Sequence, residues 1–318
     1  MEKKKLLSIA TGCYNEVENI PEFYRRTRAV LDRHPEFDYE FVVADNRSTD
    51  GTREVLREIA GRDPKFKVIL NANNFGHIRS PYNALLNTSG DLVLYICSDL
   101  QEPPEMLEEF LKRYAEGYQV ICGVKPESRE NPLMAGIRRF YYRLLEKFSE
   151  TEQVRDFTGF GLYDRRFIDA LKLYRDPYPY FRGLVAQIGF RRIEVPFVQQ
   201  KRTAGRTKNN FFTLYDMAMT GFVNHTKLPL RLAVLAGMLI GCGCILISMV
   251  YLVLKLVWWD TFSLGLAPLV IGMFFLSAVQ LFFIGVIGEY LGAVWTRVKD
   301  QPLVVEEERI NFNDDGSK

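Results

Sequence analysis

LLSIATGCYNEVENIPEFYRRTRAVLDRHPEFDYEFVVADNRSTDG, residues 6–51, is the stretch whose reading decides the fold. An apolar, β-rich run at 6–11 leads into Cys13-Tyr14-Asn15-Glu16, a helical stretch follows at 19–31, and a second β-rich run at 39–45 ends on Asp45. Two such runs joined by one helix read as a βαβ unit, which makes the strands parallel. The alternation continues: runs at 66–70, 92–97 and 119–122 are separated by helical stretches at 52–60, 79–87 and 104–116. It predicts an α/β domain, a mostly parallel sheet with helices on both faces. In such sheets ligands bind beyond the carboxyl ends of the strands, and Tyr14, Asn15, Glu16, Asp45, Asn73, Asp99 and Gln101 occupy those positions.

The 318 residues carry a formal net charge of only +2, which argues against a nucleic-acid binder. Residues 232–254 and 266–287 are nearly uncharged, and each run has about the 20 residues that a membrane-spanning helix needs. Two such runs in tandem predict a two-helix transmembrane hairpin rather than a pair of core helices. The connection at 258–265 opens with Trp258 and Trp259 and has no Lys or Arg, whereas Lys227, Arg231, Arg297 and Lys299 flank the opposite ends. Basic residues collect on the cytoplasmic side, so both termini are expected there, at an inner (plasma) membrane. Lys255 lies at the outer end, where its long stem can reach the headgroups. The basic start at 1–5 and the short apolar run after it read as the first strand, not as a signal peptide. Five scattered cysteines suggest neither a disulfide framework nor a zinc site.

Within residues 137–148, Ile137, Phe140, Tyr141, Leu144 and Phe148 share one helical face, while Arg138, Arg139, Arg143 and Lys147 lie on the other. That is the pattern of a basic amphipathic helix at a bilayer interface, with an ordinary surface helix as the alternative. Residues 211–223 are a weaker candidate of the same kind. The expected layout is a cytoplasmic catalytic domain at 1–227, the two spans within 228–295 and a tail at 296–318. Within it, the mostly acidic stretch 305–318 is predicted to be disordered.

Chemistry is concentrated in five short motifs. Asp45 could accept hydrogen bonds from a nucleobase edge, or it could simply organise the turn before the next helix together with Ser48 and Asp50. A loop with Arg202, Arg206 and Lys208 around Gly205 can close cations on a diphosphate, or it can be a solvated basic loop. Taken in order, CYNE at 13–16, DNRSTDG at 45–51, NFGH at 74–77, DLQEPPE at 99–105 and RTAGRTK at 202–208 resemble the family-two inverting glycosyltransferases of the GT-A, Rossmann-like fold. They are most similar to the polyprenyl-phosphate glycosyltransferases, the group containing dolichol-phosphate mannose synthase and the bacterial undecaprenyl-phosphate glucosyltransferases.

The resemblance implies a nucleotide-sugar donor held by Tyr14, Glu16, Asp45, Ser98, Arg202 and Lys208. It implies Mg²⁺ or Mn²⁺ on Asp99 and Gln101, and catalytic roles for Asp99 and for Asp156 near the acceptor. The acceptor would be a polyprenyl phosphate in the bilayer, and UDP-glucose the first donor to try. GDP-mannose or an amino-sugar nucleotide, a non-catalytic membrane scaffold, and homo-oligomerisation stay open. Three positions depart from the family pattern: Cys97 replaces the first Asp of D-x-D, Asn46 replaces a second Asp, and Asn73 replaces an Arg. A phosphate monoester with a second pKa of about 6 is mostly a dianion at neutral pH, so the reaction does not demand a strong general base.

Overall fold

The computed structural model describes residues 4–125, 154, 157–174, 176, 178–200, 228–258, 266–298 and 301–312. Its strands are β1 (Lys5–Cys13), β2 (Phe37–Asp45), β3 (Phe66–Asn71), β4 (Leu92–Tyr95), β5 (Val120–Val124), β6 (Phe157–Asp164), β7 (Arg192–Pro196) and β8 (Glu306–Ile310). The helices are α1 (Asn19–Leu31), α2 (Thr52–Arg62), α3 (Gly76–Leu86), α4 (Leu107–Ala115), α5 (Arg165–Lys172), α6 (Phe181–Ile188), α7 (Leu228–Val257) and α8 (Leu266–Val298).

All eight strands form one sheet in the order β7-β5-β6-β4-β1-β2-β3-β8. The block β4-β1-β2-β3 is parallel throughout, as the sequence predicts, while β6 and β8 run antiparallel to their neighbours. A central parallel strand is covered on both faces, and this explains why β1 and β2 read as unbroken apolar runs. Leu7, Ile9, Phe41 and Val43 pack into the layer that holds Ile20 and Phe23 of α1 and Leu56 of α2. Their alternates face the other way, Val42 and Ala44 meeting Ala84 of α3 and Ala10 meeting Tyr82 and Leu85. The strand order reverses at β1, which lies between β4 and β2, and in such sheets a ligand crevice opens at the carboxyl ends of these strands.

Two glycines let backbones approach there and on the flank. A Cβ at Gly12 would lie 2.6 Å from Pro81 Cγ of α3, and one at Gly161 would lie 2.2 Å from the Ile121 carbonyl oxygen.

Residues 305–312 correct the expectation of disorder from 305 onward, while 313–318 lie outside the described residues. β8 pairs antiparallel with β3, and Ala72 N–H donates to the Val305 carbonyl at 2.9 Å. Asn311 Nδ2 donates to the carbonyls of Ala60 at 2.8 Å and Phe66 at 3.0 Å. The acidic composition misleads because the charges are matched: Glu307 pairs with Arg53 and Glu308 with Arg57, both on α2. The open edge of β3 supplies the backbone partners. Three smaller differences concern α3, which begins at Gly76 rather than Arg79, β4, which stops at Tyr95, and β6, β7, α5 and α6, which the alternating pattern did not separate.

The long helices α7 (30 residues) and α8 (33 residues) touch each other and belong to a compact unit distinct from the sheet. Many of their apolar side chains are exposed, among them Leu239, Leu246, Phe275, Leu281 and Phe282. Among the described residues one segment, Phe275–Gly292, is long and apolar enough to cross a membrane, and Val234–Gly243 of α7 is a shorter apolar stretch. The interfacial helices expected at 137–148 and 211–223 lie outside the described residues.

Gly161 gives a direct test of the sheet. Gly161→Ala forces β6 away from β5 and should cost about 1–3 kcal/mol, lowering the melting temperature by roughly 5 °C. An unchanged melting temperature would contradict the close approach.

Candidate functional site

The loops after β1, β2 and β4 meet at the carboxyl edge, and hydrogen bonds lace them together. Asn46 N–H donates to the Cys13 carbonyl at 2.9 Å, joining the ends of β1 and β2. Asn15, in the left-handed region at φ 56°, donates its N–H to Ser48 Oγ at 2.9 Å and accepts from Thr49 N–H through Oδ1 at 2.9 Å. Glu16 N–H donates to Thr52 Oγ1 at 2.9 Å, and Val17 N–H to Asp50 Oδ2 at 3.2 Å. CYNE and DNRSTDG, 29 residues apart in sequence from Glu16 to Asp45, therefore form one surface. Tyr14 is exposed on it, whereas Glu16 is buried with its carboxylate held by Asn19 Nδ2.

Asp45 is fully buried. Its carboxylate accepts the Ser48 N–H at 3.1 and 3.3 Å and Arg53 Nε at 2.7 Å. It does organise the turn, one of the two roles open in the sequence, and it has Arg53 as its counter-ion. Cys13 lies beneath it with Sγ 3.9 Å from Oδ1. Burial pushes that thiol well above its ordinary pKa, and the Asp45 charge pushes it further, so Cys13 stays a neutral thiol.

Asn46 departs from the family pattern for a visible reason. Its Nδ2 donates to Asn74 Oδ1 at 2.7 Å and to the Gly76 carbonyl at 3.1 Å, while its Oδ1 accepts Phe75 N–H at 2.7 Å. An aspartate could not donate, so the amide is what joins the β2 loop to the NFG turn. At the second departure, Arg47 Nη1 lies 3.3 Å from Asn73 Oδ1 and brings a guanidinium to that corner of the site.

The β4 loop holds Ser98, Asp99 and Gln101. Ser98 Oγ donates to the Gly12 carbonyl at 3.0 Å, fixing the loop to β1. Asp99 Oδ1 accepts Gln101 N–H at 3.2 Å across Leu100, which sits at φ 61°. A left-handed non-glycine residue in such a loop is strained and is held by its surroundings. Gln101 meets the segment that leads toward residue 202, its carbonyl accepting Gln200 N–H at 3.0 Å and its side-chain oxygen accepting Gln199 Nε2. Cys97, the third departure, is exposed.

Glu102 was not singled out from the sequence, because a Glu inside an acidic loop reads as solvated. It is buried, with one oxygen accepting Cys97 N–H at 2.9 Å and the other the Thr158 hydroxyl at 2.6 Å. It thus ties the β4 loop to the start of β6. Asp156, Arg202 and Lys208 lie outside the described residues. Among the described residues no three His, Cys, Asp or Glu side chains cluster as a metal site.

Burial pushes the Glu102 carboxyl above the usual range, and neighbouring Asp99 adds to the rise, while the hydrogen bonds from Thr158 and Cys97 oppose it. The stability that the neutral carboxyl contributes is complete below the ordinary glutamate pKa of about 4.3 and is lost as pH rises through the raised folded value. Glu102→Gln should therefore gain stability relative to the parent protein between pH 4 and pH 7 when melting is followed without divalent cation. A difference that stays constant with pH would contradict this.

Comparison with known proteins agrees with this geometry. Residues 8–171, just over half the chain, match Glycosyl transferase family 2. The uncharacterized glycosyltransferase YkcC of Bacillus subtilis is 33% identical, over 94% of this chain and 92% of that protein. The bactoprenol glucosyl transferase of Shigella phage SfII is 27% identical, over 93% of this chain and 96% of that protein. Among solved structures, the mannosyltransferase PcManGT from Pyrobaculum calidifontis in complex with GDP-Man and Mn²⁺ covers 95% of this chain and 89% of that one. The two share 17% identity and superpose with a TM-score of 0.48. Motifs, strand order and relatives converge: the chain is a glycosyltransferase and belongs to glycosyl transferase family 2.

Proposed function

We propose that the protein transfers a sugar from a nucleotide-sugar, UDP-glucose first among the candidates, to a polyprenyl phosphate, at the cytoplasmic face of a membrane and with inversion. The observation that carries this reading is the near end-to-end match to bactoprenol glucosyl transferases, together with the motif loops joined at the carboxyl edge of the sheet. Tyr14, Glu16 and Asp45 serve the nucleoside in this reading and Ser98 the sugar-nucleotide, with Arg202 and Lys208 closing on the diphosphate. Asp156 orients the acceptor.

Membrane attachment rests on α8, with α7 as its partner in a hairpin. In this reading Arg297 and Lys299, after the apolar stretch of α8, mark its cytoplasmic end.

The reacting groups supply most of the chemistry. A phosphate dianion is already nucleophilic, so displacement at the anomeric carbon inverts it, and the protein's task is to hold both substrates in line and stabilise the departing diphosphate. Asp99 offers one hard carboxylate oxygen and Gln101 one amide oxygen, a set that fits Mg²⁺ or Mn²⁺ only when diphosphate oxygens and water complete the shell. When bound, the cation offsets negative charge on the leaving group.

Asp99→Ala should then lower divalent-dependent donor binding by at least about 50-fold, while Cys97→Ala changes it by less than about threefold, because a hard cation takes oxygen and not a neutral thiol. Calorimetric titration of each variant with UDP-glucose and Mn²⁺ checks this, and equal losses would overturn the assignment.

A further inference from the structure

All three edges of the Arg53 guanidinium are engaged. Nε donates to Asp45 Oδ2 at 2.7 Å, Nη2 to the Asn71 carbonyl at 2.6 Å, and Nη1 to Glu307 Oε2 at 2.9 Å. The first two partners close β2 and β3, whereas the third belongs to β8, more than 250 residues along the chain. We propose that Arg53 is a positioning residue for the nucleoside end of the donor site and that Glu307 fixes it there, so that the chain following α8 forms part of donor recognition. This rests on the donor-site reading above.

A fully buried carboxylate needs a counter-charge, and Arg53 supplies the one Asp45 has in the contacts described. A long side chain anchored at one edge could still swing, but a planar fork held on three sides has one orientation. The strand is shaped for this task. Arg53 and Arg57 lie one turn apart on the same face of α2, yet their partners Glu307 and Glu308 are consecutive, and consecutive strand residues normally point to opposite faces. The register of β8 on β3 shifts at this place, Leu70 opposing Glu308 while Asn71 opposes Glu306, which leaves Glu307 as the extra residue. Such a bulge re-aims a side chain, and it brings both glutamates to α2.

The strand itself is anchored elsewhere. Arg79 holds the carbonyls of Pro302 at 2.7 Å and Leu303 at 2.6 Å, and Asn83 Nδ2 donates to Glu306 at 2.8 Å. Removing the Glu307 carboxylate therefore leaves β8 in place and frees one edge of Arg53.

Steady-state transfer by the full chain in detergent, with UDP-glucose varied at saturating acceptor and the reverse, tests the proposal. Glu307→Ala should raise the donor KM about three- to fivefold with little change in kcat, and Arg53→Lys about tenfold or more. Glu307→Gln, whose amide oxygen still accepts the Nη1 hydrogen, should restore the donor KM to within about twofold of the parent. Glu308→Ala removes a comparable ion pair from the same strand without touching Arg53, and should leave the donor KM within about twofold. The acceptor KM should move in none of them. Equal donor effects from Glu307→Ala and Glu308→Ala, or a loss of melting temperature with no change in donor KM, would overturn the inference alone. Failure of the parent protein to use UDP-glucose or any other nucleotide-sugar would overturn the donor-site reading and this inference with it.

Discussion

One buried negative charge organises the carboxyl edge of this sheet. Asp45 closes β2 in a place without solvent, and a carboxylate there is tolerable only with a partner and a full set of hydrogen bonds. Arg53 and the Ser48 N–H provide them, and in doing so they draw the β2 loop, the start of α2 and the end of β3 into one assembly. The β1 loop then closes over it through Ser48, Thr52 and Asp50, which accept the backbone N–H groups of Asn15, Glu16 and Val17. The corner proposed for the nucleoside is thus a consequence of satisfying one charge.

The β4 loop follows a different logic. Its anchors are neutral or shielded: Ser98 on the Gly12 carbonyl, Glu102 between Cys97 and Thr158, and Gln101 against Gln199 and Gln200. Those contacts hold Leu100 in the left-handed region and leave Asp99 only partly buried. In the proposed reading, with Cys97 in place of a carboxylate, the donor itself must help to build the metal position at Asp99 and Gln101. Affinity for cation and for nucleotide-sugar should accordingly be coupled, each raising the other.

The parallel block was legible because strands buried on both faces leave unbroken apolar runs, and the motif residues were legible because they fall just beyond those runs. Asp45, Asp99 and the CYNE segment stand where that logic put them. β8 was not legible, since EEER reads as solvated until the basic face of α2 and the open edge of β3 are both known. Glu102 escaped for the same reason, as its partner Thr158 is 56 residues away. The substitution of Asn46 looked like a lost carboxylate, and only the donor bonds to Asn74 and Gly76 explain why an amide stands there.

The most direct test is transfer itself: the purified full chain in lipid nanodiscs, given undecaprenyl phosphate, Mn²⁺ and UDP-glucose alongside GDP-mannose and UDP-N-acetylglucosamine, with the lipid product isolated and its anomeric configuration read by NMR. The account predicts a polyprenyl-phosphate sugar whose anomeric centre is inverted relative to the donor. A product with retained configuration, or release of free sugar with no lipid product from any donor, would contradict it.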